Sequence, residues 1–351
     1  MNKRLPALSK SGHKELAMSD IASKAGVCKA TVSRALNTPE RVSEATRNKV
    51  LAVVSEMGYT PNKLAAGLRQ GKSRNIAIML PDITNPYFSP VIRSIENVAH
   101  RRGYSVILND TQDNPVLEKT FAGMVKTRQV DGIITNSSRI PFDIDPSLPV
   151  EEQLPPLVNA SEFTEIDGIP KVGVDNYRIG VEATEHLLRL GHRQIGIIAG
   201  PDSINSSRLR ETGFRDAMKQ AGIPVDGRLL YHGDFSSQSG VEGVHRLMQQ
   251  RNRPTAIFCF GDLAAIGAMH ALRELEYCIP DDVSIISVDG IALGEYCAPP
   301  LTTIAQPMEE IGEKIAHILL DLIDGNRPAE LMNILPHKLI VRKSTGPVPQ
   351  P

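Results

Sequence analysis

Residues 19–57 constrain this chain more than any other stretch. Ile21, Ala22 and Ala25 give a short helix one apolar face, Gly26 breaks it, and Thr31, Val32 and Leu36 restart the helical spacing. Two short helices joined by a tight glycine-containing turn make a helix-turn-helix. The second helix presents Lys29, Ala30, Ser33 and Arg34 between apolar Val32 and Leu36. A third, with Ser43 as its N-cap, runs to Met57 and closes a small core with Val50, Val53, Val54 and Met57. The second helix reads as one built to be inserted into something.

Charge points to the same end of the chain. Residues 1–75 hold 14 Lys and Arg against 5 Asp and Glu, so the remainder of the 39 basic and 40 acidic residues is 25 against 35. The formal net charge of −1 therefore hides a strongly polarised molecule. A basic part of this kind implies nucleic acid or another anionic surface as its partner.

At 351 residues there is room for two or three domains. Residues 1–16 are basic and polar without an apolar run, so they are expected to be a disordered arm and not a signal peptide. No stretch approaches eighteen or so uninterrupted apolar residues, which predicts no membrane span and a cytoplasmic protein. Cys28, Cys259, Cys278 and Cys297 lack metal or disulfide spacing and read as free thiols.

Pro61 stops the third helix, and Asn62 can cap the short helix-capable stretch through Arg69. A helix this short is marginal alone, so it is expected to order only on DNA or against a second copy. From Ser73 onward, apolar strands alternate with amphipathic helices in two sets. The first set holds 75–80, 104–108, 132–134, 157–159 and 172–174, and the second holds 194–198, 256–259 and 283–288. That alternation predicts parallel sheets in two lobes with a cleft between them.

In open parallel sheets ligands sit at the carboxyl ends of the strands. Asp82, Asn85, Tyr87 and Phe88 follow the first strand, and the two aromatics offer rings to stack on a base or sugar. Arg210 opens a helix, Phe235 follows Gly233-Asp234, Asp289 ends a strand, and Gln306 lies where the chain passes between lobes. The plainer alternatives are that Arg210 and Asp289 pair with each other and that Phe235 is core.

The motifs D-I-A-x-x-A-G-V (20–27), A-T-V-S-R-A-L-N (30–37), V-S-x-x-T-R (42–47) and G-Y-x-P-N-x-x-A (58–65) resemble the headpiece of the LacI/GalR family of bacterial repressors. Further along, D-I-T-N-P-Y-F (82–88), G-V-D-N (173–176), L-G-H-R-Q-I-G (190–196), G-D-L-A-A-I-G (261–267), I-P-D-D-V-S-I-I-S-V-D (279–289) and P-L-T-T-I-A-Q-P (300–307) resemble the core that this family shares with periplasmic sugar-binding proteins.

The resemblance implies an all-α helix-turn-helix headpiece (17–61), a hinge (62–74) and an α/β two-lobed periplasmic-binding-protein-like core of parallel sheets (75–351). The N-lobe would take about 75–174 plus 304–336, and the C-lobe about 175–303 plus 337–346. It further implies a homodimer on a pseudo-palindromic double-stranded DNA operator, with Lys29, Ala30 and Arg34 reading bases. Arg34 can bond bidentately to guanine, and Ala30 offers only apolar contact. Thr31, Ser33, Asn37 and Thr46 are expected at phosphates, Arg41 and Ser43 also at DNA, and Asn62, Leu68 and Arg69 at DNA from the hinge, where Leu68 would wedge into the minor groove. Cys28 stands where the family most often has Ser, which weakens one expected phosphate contact.

In the core, Arg210 and Asp289 match family positions that bond ligand hydroxyls, and Phe235 matches an aromatic that stacks on bases in purine-responsive members. Gly261 stands where sugar-responsive members often carry Asn. Within the family, E-K-T-F (118–121), S-R-I-P-F-D (138–143), G-D-F (233–235) and F-C-F (258–260) resemble the cytidine-responsive branch, which implies cytidine as inducer. That branch works beside the cyclic-AMP receptor protein. A purine or sugar effector, acting as inducer or corepressor, remains open, and so does a ligand-binding transport protein. No GxSxG, HExxH, GxGxxG or P-loop pattern marks an enzyme, the histidines show no metal spacing, and no cofactor is expected beyond the effector.

Overall fold

A computed structural model of the chain describes residues 16–59 and 71–349, except for the side chain of Asn37. The chain divides after Gly71 into two compact units.

In the first unit, α1 (Met18–Ala25) ends at Gly26, whose φ of 62° is the left-handed cap that lets the chain turn sharply into α2 (Lys29–Asn37). A 3₁₀ turn (Pro39–Arg41) leads to α3 (Glu44–Met57), where the Ser43 hydroxyl accepts the Thr46 N–H at 3.4 Å. Ile21, Ala22, Ala25, Val32, Ala35 and Val50 are buried together, with Val53, Val54, Met57 and Tyr59 packed around them. The apolar spacing of the three helices thus meets in one core.

The second unit begins β1 (Asn75–Leu80), α4 (Phe88–Arg101), β2 (Ser105–Asp110), α5 (Pro115–Lys126) and β3 (Gly132–Thr135). The first lobe continues with α6 (Val150–Gln153), β4 (Leu157–Ala160) and β5 (Lys171–Gly173). The chain then crosses into α7 (Asn176–Arg189), β6 (Ile195–Ala199), α8 (Asn205–Gln220), β7 (Leu230–His232) and α9 (Ser237–Met248). Next come β8 (Ala256–Cys259), α10 (Asp262–Glu274), β9 (Ser284–Asp289) and β10 (Thr302–Ala305). Finally α11 (Met308–Ile323) and β11 (Met332–Ile334) return to the first lobe, and β12 (Lys338–Ile340) closes the second.

The sheets run β11-β5-β4-β3-β1-β2 and β12-β10-β9-β8-β6-β7. Every pairing is parallel except β12, which runs antiparallel along the edge of β10. The sequence pattern did not register that exception, nor β7, β10 and β11. Each is only three or four residues long, and β11 alternates exposed and buried positions without a continuous apolar run. The passage back to the first lobe was expected near residue 304. β10 stays in the second sheet through Ala305, so the passage falls at Gln306 and Pro307.

Glycines decide how closely the helices approach. A Cβ on Gly180 would stand 2.1 Å from the Arg210 carbonyl oxygen, and one on Gly213 would stand 2.2 Å from that of Tyr177. α7 and α8 therefore cross backbone against backbone, which sets where Arg210 stands.

Candidate functional site

On the first unit, Lys29, Ala30 and Arg34 are exposed along α2, while Val32 and Ala35 on its other side are buried. Arg41 and Ser43 are also exposed, and Thr31, Ser33 and Thr46 are half-buried. Hydroxyls expected to meet DNA already have local partners. Thr31 Oγ1 lies 3.2 Å from Cys28 Sγ, and Ser43 Oγ lies 2.9 Å from Thr46 Oγ1. A hydroxyl keeps further capacity after one bond, so these positions can still meet a phosphate. The hydrogen bonds from Thr31 hold the exposed Cys28 thiol below its ordinary value. The expectations for the Asn37 side chain and for Asn62, Leu68 and Arg69 lie outside the described residues.

On the second unit, a cleft of about 700 Å³ opens where the strands of both sheets end. Its size suits a small organic ligand. All eight candidates from the sequence line it: Asp82, Asn85, Tyr87, Phe88, Arg210, Phe235, Asp289 and Gln306. The loop after β1 is self-bonded. Asp82 Oδ1 accepts from the Thr84 N–H and hydroxyl at 2.8 and 2.6 Å, and Asn85 Oδ1 accepts the Tyr87 N–H at 3.0 Å. Phe88 stands edge-on to Tyr87, with ring centroids 5.1 Å apart.

One polar chain joins the two lobes through the passage between them. Tyr87 Oη donates to Gln306 Oε1 at 3.2 Å, and Gln306 Nε2 donates to Asp289 Oδ1 at 2.9 Å. Burial pushes the Tyr87 phenol up to about 12, so it stays a donor.

Arg210 and Asp289 do not pair with each other. Arg210 Nε donates to Asn176 Oδ1 at 2.9 Å, and Nη1 donates to the Phe260 carbonyl. Asp289 is held at a φ of 124°, a strained conformation for a residue with a side chain. Asp262, which the sequence reading did not single out, holds that turn in place. Its carboxylate accepts from Thr303 Oγ1 at 2.7 Å, from Ser287 Oγ, and from the N–H groups of Gly290 and Ile291 at 2.8 and 2.7 Å. Burial raises the pKa of Asp262, and these four donors oppose the rise. Burial and the neighbouring Asp262 charge push Asp289 up to about 7.

Phe235 is in the left-handed region at φ 67° and lays its ring against Gly200. A Cβ on Gly200 would stand 2.0 Å from that ring, so the position has space only for glycine. Phe235 is half-buried at the cleft wall, exposed enough to offer a ring face. At Gly261 a Cβ would stand 3.5 Å from both Asp289 Oδ2 and Phe235, which is ordinary contact. Glycine there leaves extra room beside the carboxyl.

Arg139, Asp113 and Asn176 also line the cleft, and buried Glu118 bonds Arg139 behind it. Motifs holding Arg139, Glu118 and Asn176 were visible, but the contacts that define their roles come from separate segments. Among the described residues Asp202, Glu211 and His232 are close enough to suit a metal. His232 Nε2 lies 2.8 Å from Glu211 Oε2 and 3.3 Å from Asp202 Oδ1, and Glu211 also pairs with Arg215 at 2.6 Å, so the three side chains are engaged with one another and with Arg215.

Comparison with known proteins agrees with both units. The pattern of the bacterial regulatory proteins of the lacI family matches residues 17–62, and that of the periplasmic binding protein-like domain matches residues 184–345. The HTH-type transcriptional repressor CytR of Escherichia coli (strain K12) is 39% identical over 332 residues, covering 95% of this chain and 97% of that protein. The HTH-type transcriptional regulator DegA of Bacillus subtilis (strain 168) is 39% identical over 331 residues, covering 94% and 98%. A crystal structure of the lac repressor dimer bound to operator and the anti-inducer ONPF superposes with a TM-score of 0.83 at 29% identity, covering 95% of this chain and all of that one. The chain belongs to the LacI family of bacterial regulatory proteins.

Proposed function

We propose that this protein is a cytoplasmic, homodimeric transcriptional repressor that binds a pseudo-palindromic operator through α2 and is released from it by cytidine. Repression under small-molecule control rests on the family, on the exposed base-reading face of α2 and on the cleft. The nucleoside rests on one observation above the rest: the Phe235 ring stands over Gly200 beside Asp289 and Arg210. That wall pairs a surface for a base with groups for ribose hydroxyls. A ligand lacking those hydroxyls would leave the buried carboxyl and guanidinium less well paired.

Closing of the lobes on the ligand would act through Gln306, which bonds both sides and lies just ahead of α11. At the far end of α11, Asp324 Oδ1 and Oδ2 hold Lys72 and Arg102, each at 2.8 Å. Lys72 is the first residue of the second unit, so α11 links the cleft to the start of that unit. A coupling of about 1–3 kcal/mol between ligand and operator is the expected scale. The reading includes no cofactor beyond the effector, and it includes the cyclic-AMP receptor protein as a partner on DNA.

The experiment is calorimetric titration with cytidine, adenosine, guanine and ribose, paired with operator binding in the presence of each. Selective cytidine binding that weakens operator binding and is lost in Asp289→Ala supports the reading. Binding of a purine or sugar in place of cytidine leaves the repressor and removes the cytidine assignment.

A further inference from the structure

Two motifs that carry no assigned role meet at the cleft wall. Arg139 Nε lies 3.2 Å from Glu118 Oε2, and its Nη2 lies 2.9 Å from Glu118 Oε1. The same Nη2 binds the Asp113 carboxylate and, at 3.1 Å, the Asp113 carbonyl oxygen. Glu118 is only 2% exposed, so this clamp is anchored from inside the lobe. Arg139 therefore gives its Nε and Nη2 donors, part of the planar fork that suits a phosphate, to two carboxylates of its own chain.

Other groups that could take an anion are also engaged within the chain. Arg210 is committed to Asn176 and the Phe260 carbonyl. Helix N-termini attract anions, and at three of those lining this cleft a carboxylate accepts a backbone N–H. The Ser206 N–H in the first turn of α8 donates to Glu162 Oε2 at 2.9 Å. Ser236, just ahead of α9, donates its N–H to Asp234 Oδ1 at 3.0 Å. The Asp262 N–H at the start of α10 donates to Asp289 Oδ2 at 3.4 Å. Among the described residues, Asp82, Asp110, Asp113, Glu162, Asp234 and Asp289 line the cleft against only Arg139 and Arg210, and no lysine or histidine does. With the Asp289 carboxyl counted as neutral, five carboxylates still face two guanidiniums.

We infer that the cleft admits an uncharged, unphosphorylated ligand and rejects its phosphate ester, and that Glu118 and Asp113 enforce this by holding Arg139. The inference rests on the cleft being the effector site. It goes further by fixing the charge of the ligand.

The test is calorimetry on the full chain with three pairs: cytidine and cytidine 5′-monophosphate, adenosine and adenosine 5′-monophosphate, ribose and ribose 5-phosphate. The uncharged member of whichever pair binds is expected to bind on the order of a hundredfold more tightly, since juxtaposed like charges cost several kcal/mol. Asp113→Asn and Glu118→Gln each loosen the clamp and should narrow that ratio by about tenfold, as a freed guanidinium reaches the phosphate. Glu118→Gln alters a buried ion pair, so the more exposed Asp113→Asn serves if that variant does not fold. Equal or tighter binding of a phosphate ester by the native chain overturns the inference, as does a ratio unmoved in Asp113→Asn. Binding of adenosine or ribose but not cytidine, with the ester still rejected, removes the cytidine assignment and leaves this inference standing. If no uncharged member binds, both fall.

Discussion

Asp289 Oδ2 sits 3.4 Å from the backbone nitrogen of Asp262, so an acid on the cleft wall meets a buried one behind it. Burial pushes both carboxyls up, against four donors on Asp262, and Asp289 rises to about 7. Between the ordinary carboxyl value of 3.8 and about 7, the folded protein holds a proton that the unfolded chain has lost. Stability contributed here is full below that window and is lost as pH rises through it. Urea unfolding across this range should show Asp289→Asn with a shallower fall toward neutral pH than the native chain. Parallel slopes would place the proton elsewhere.

Gly200 should tolerate no side chain. Gly200→Ala drives a methyl group into the Phe235 ring, and such overpacking costs about 1–3 kcal/mol. Displacement of the ring should weaken the effector by more than the loss of stability accounts for. Thermal unfolding and effector titration of the same variant separate the two, and unchanged effector affinity would remove Phe235 from the binding wall.

Arg34 is exposed on α2 with its backbone fixed by buried Val32 and Ala35. Arg34→Ala should cost roughly 1–3 kcal/mol on the operator and relax preference at a single base pair. Fluorescence anisotropy against a set of single-base operator variants reads this directly. Equal weakening on every sequence would make Arg34 a phosphate contact.

Cys28 should be the reactive thiol. Its exposure and its bonds from Thr31 favour the thiolate, whereas burial pushes Cys259 up. Alkylation near neutral pH should label Cys28 well before Cys259 and abolish operator binding. Cys28→Ser should bind operator and resist the reagent, and a native chain that binds normally after labelling would clear α2 of DNA contact at that point.

Local pattern made much of this readable from residues alone. The helix-turn-helix was legible because the period of Ile21, Ala25, Val32 and Val50 and the break at Gly26 are local properties. The first strands of both lobes were legible because they are buried on both faces and therefore continuously apolar. The short strands β7, β10, β11 and β12 were not. Their pairing energy comes from neighbours distant in sequence, and a few alternating residues carry no period of their own. In the cleft, position along the chain named Asp82, Asn85, Tyr87, Phe88, Arg210, Phe235, Asp289 and Gln306, since strand ends gather ligand groups in this class of sheet. It did not name Asp262, Glu118 or Arg139.

By itself, then, the sequence determined the family, the two-unit plan and which strand ends meet at a ligand. Tertiary structure alone decided what those groups are free to do. Arg139 is closed by Glu118 and Asp113, Asp289 is strained over Asp262, and Arg210 is turned toward Asn176 and Phe260. Hydrogen-bond partners and shared burial join residues tens of positions apart, and they set charge and availability only after the chain has folded.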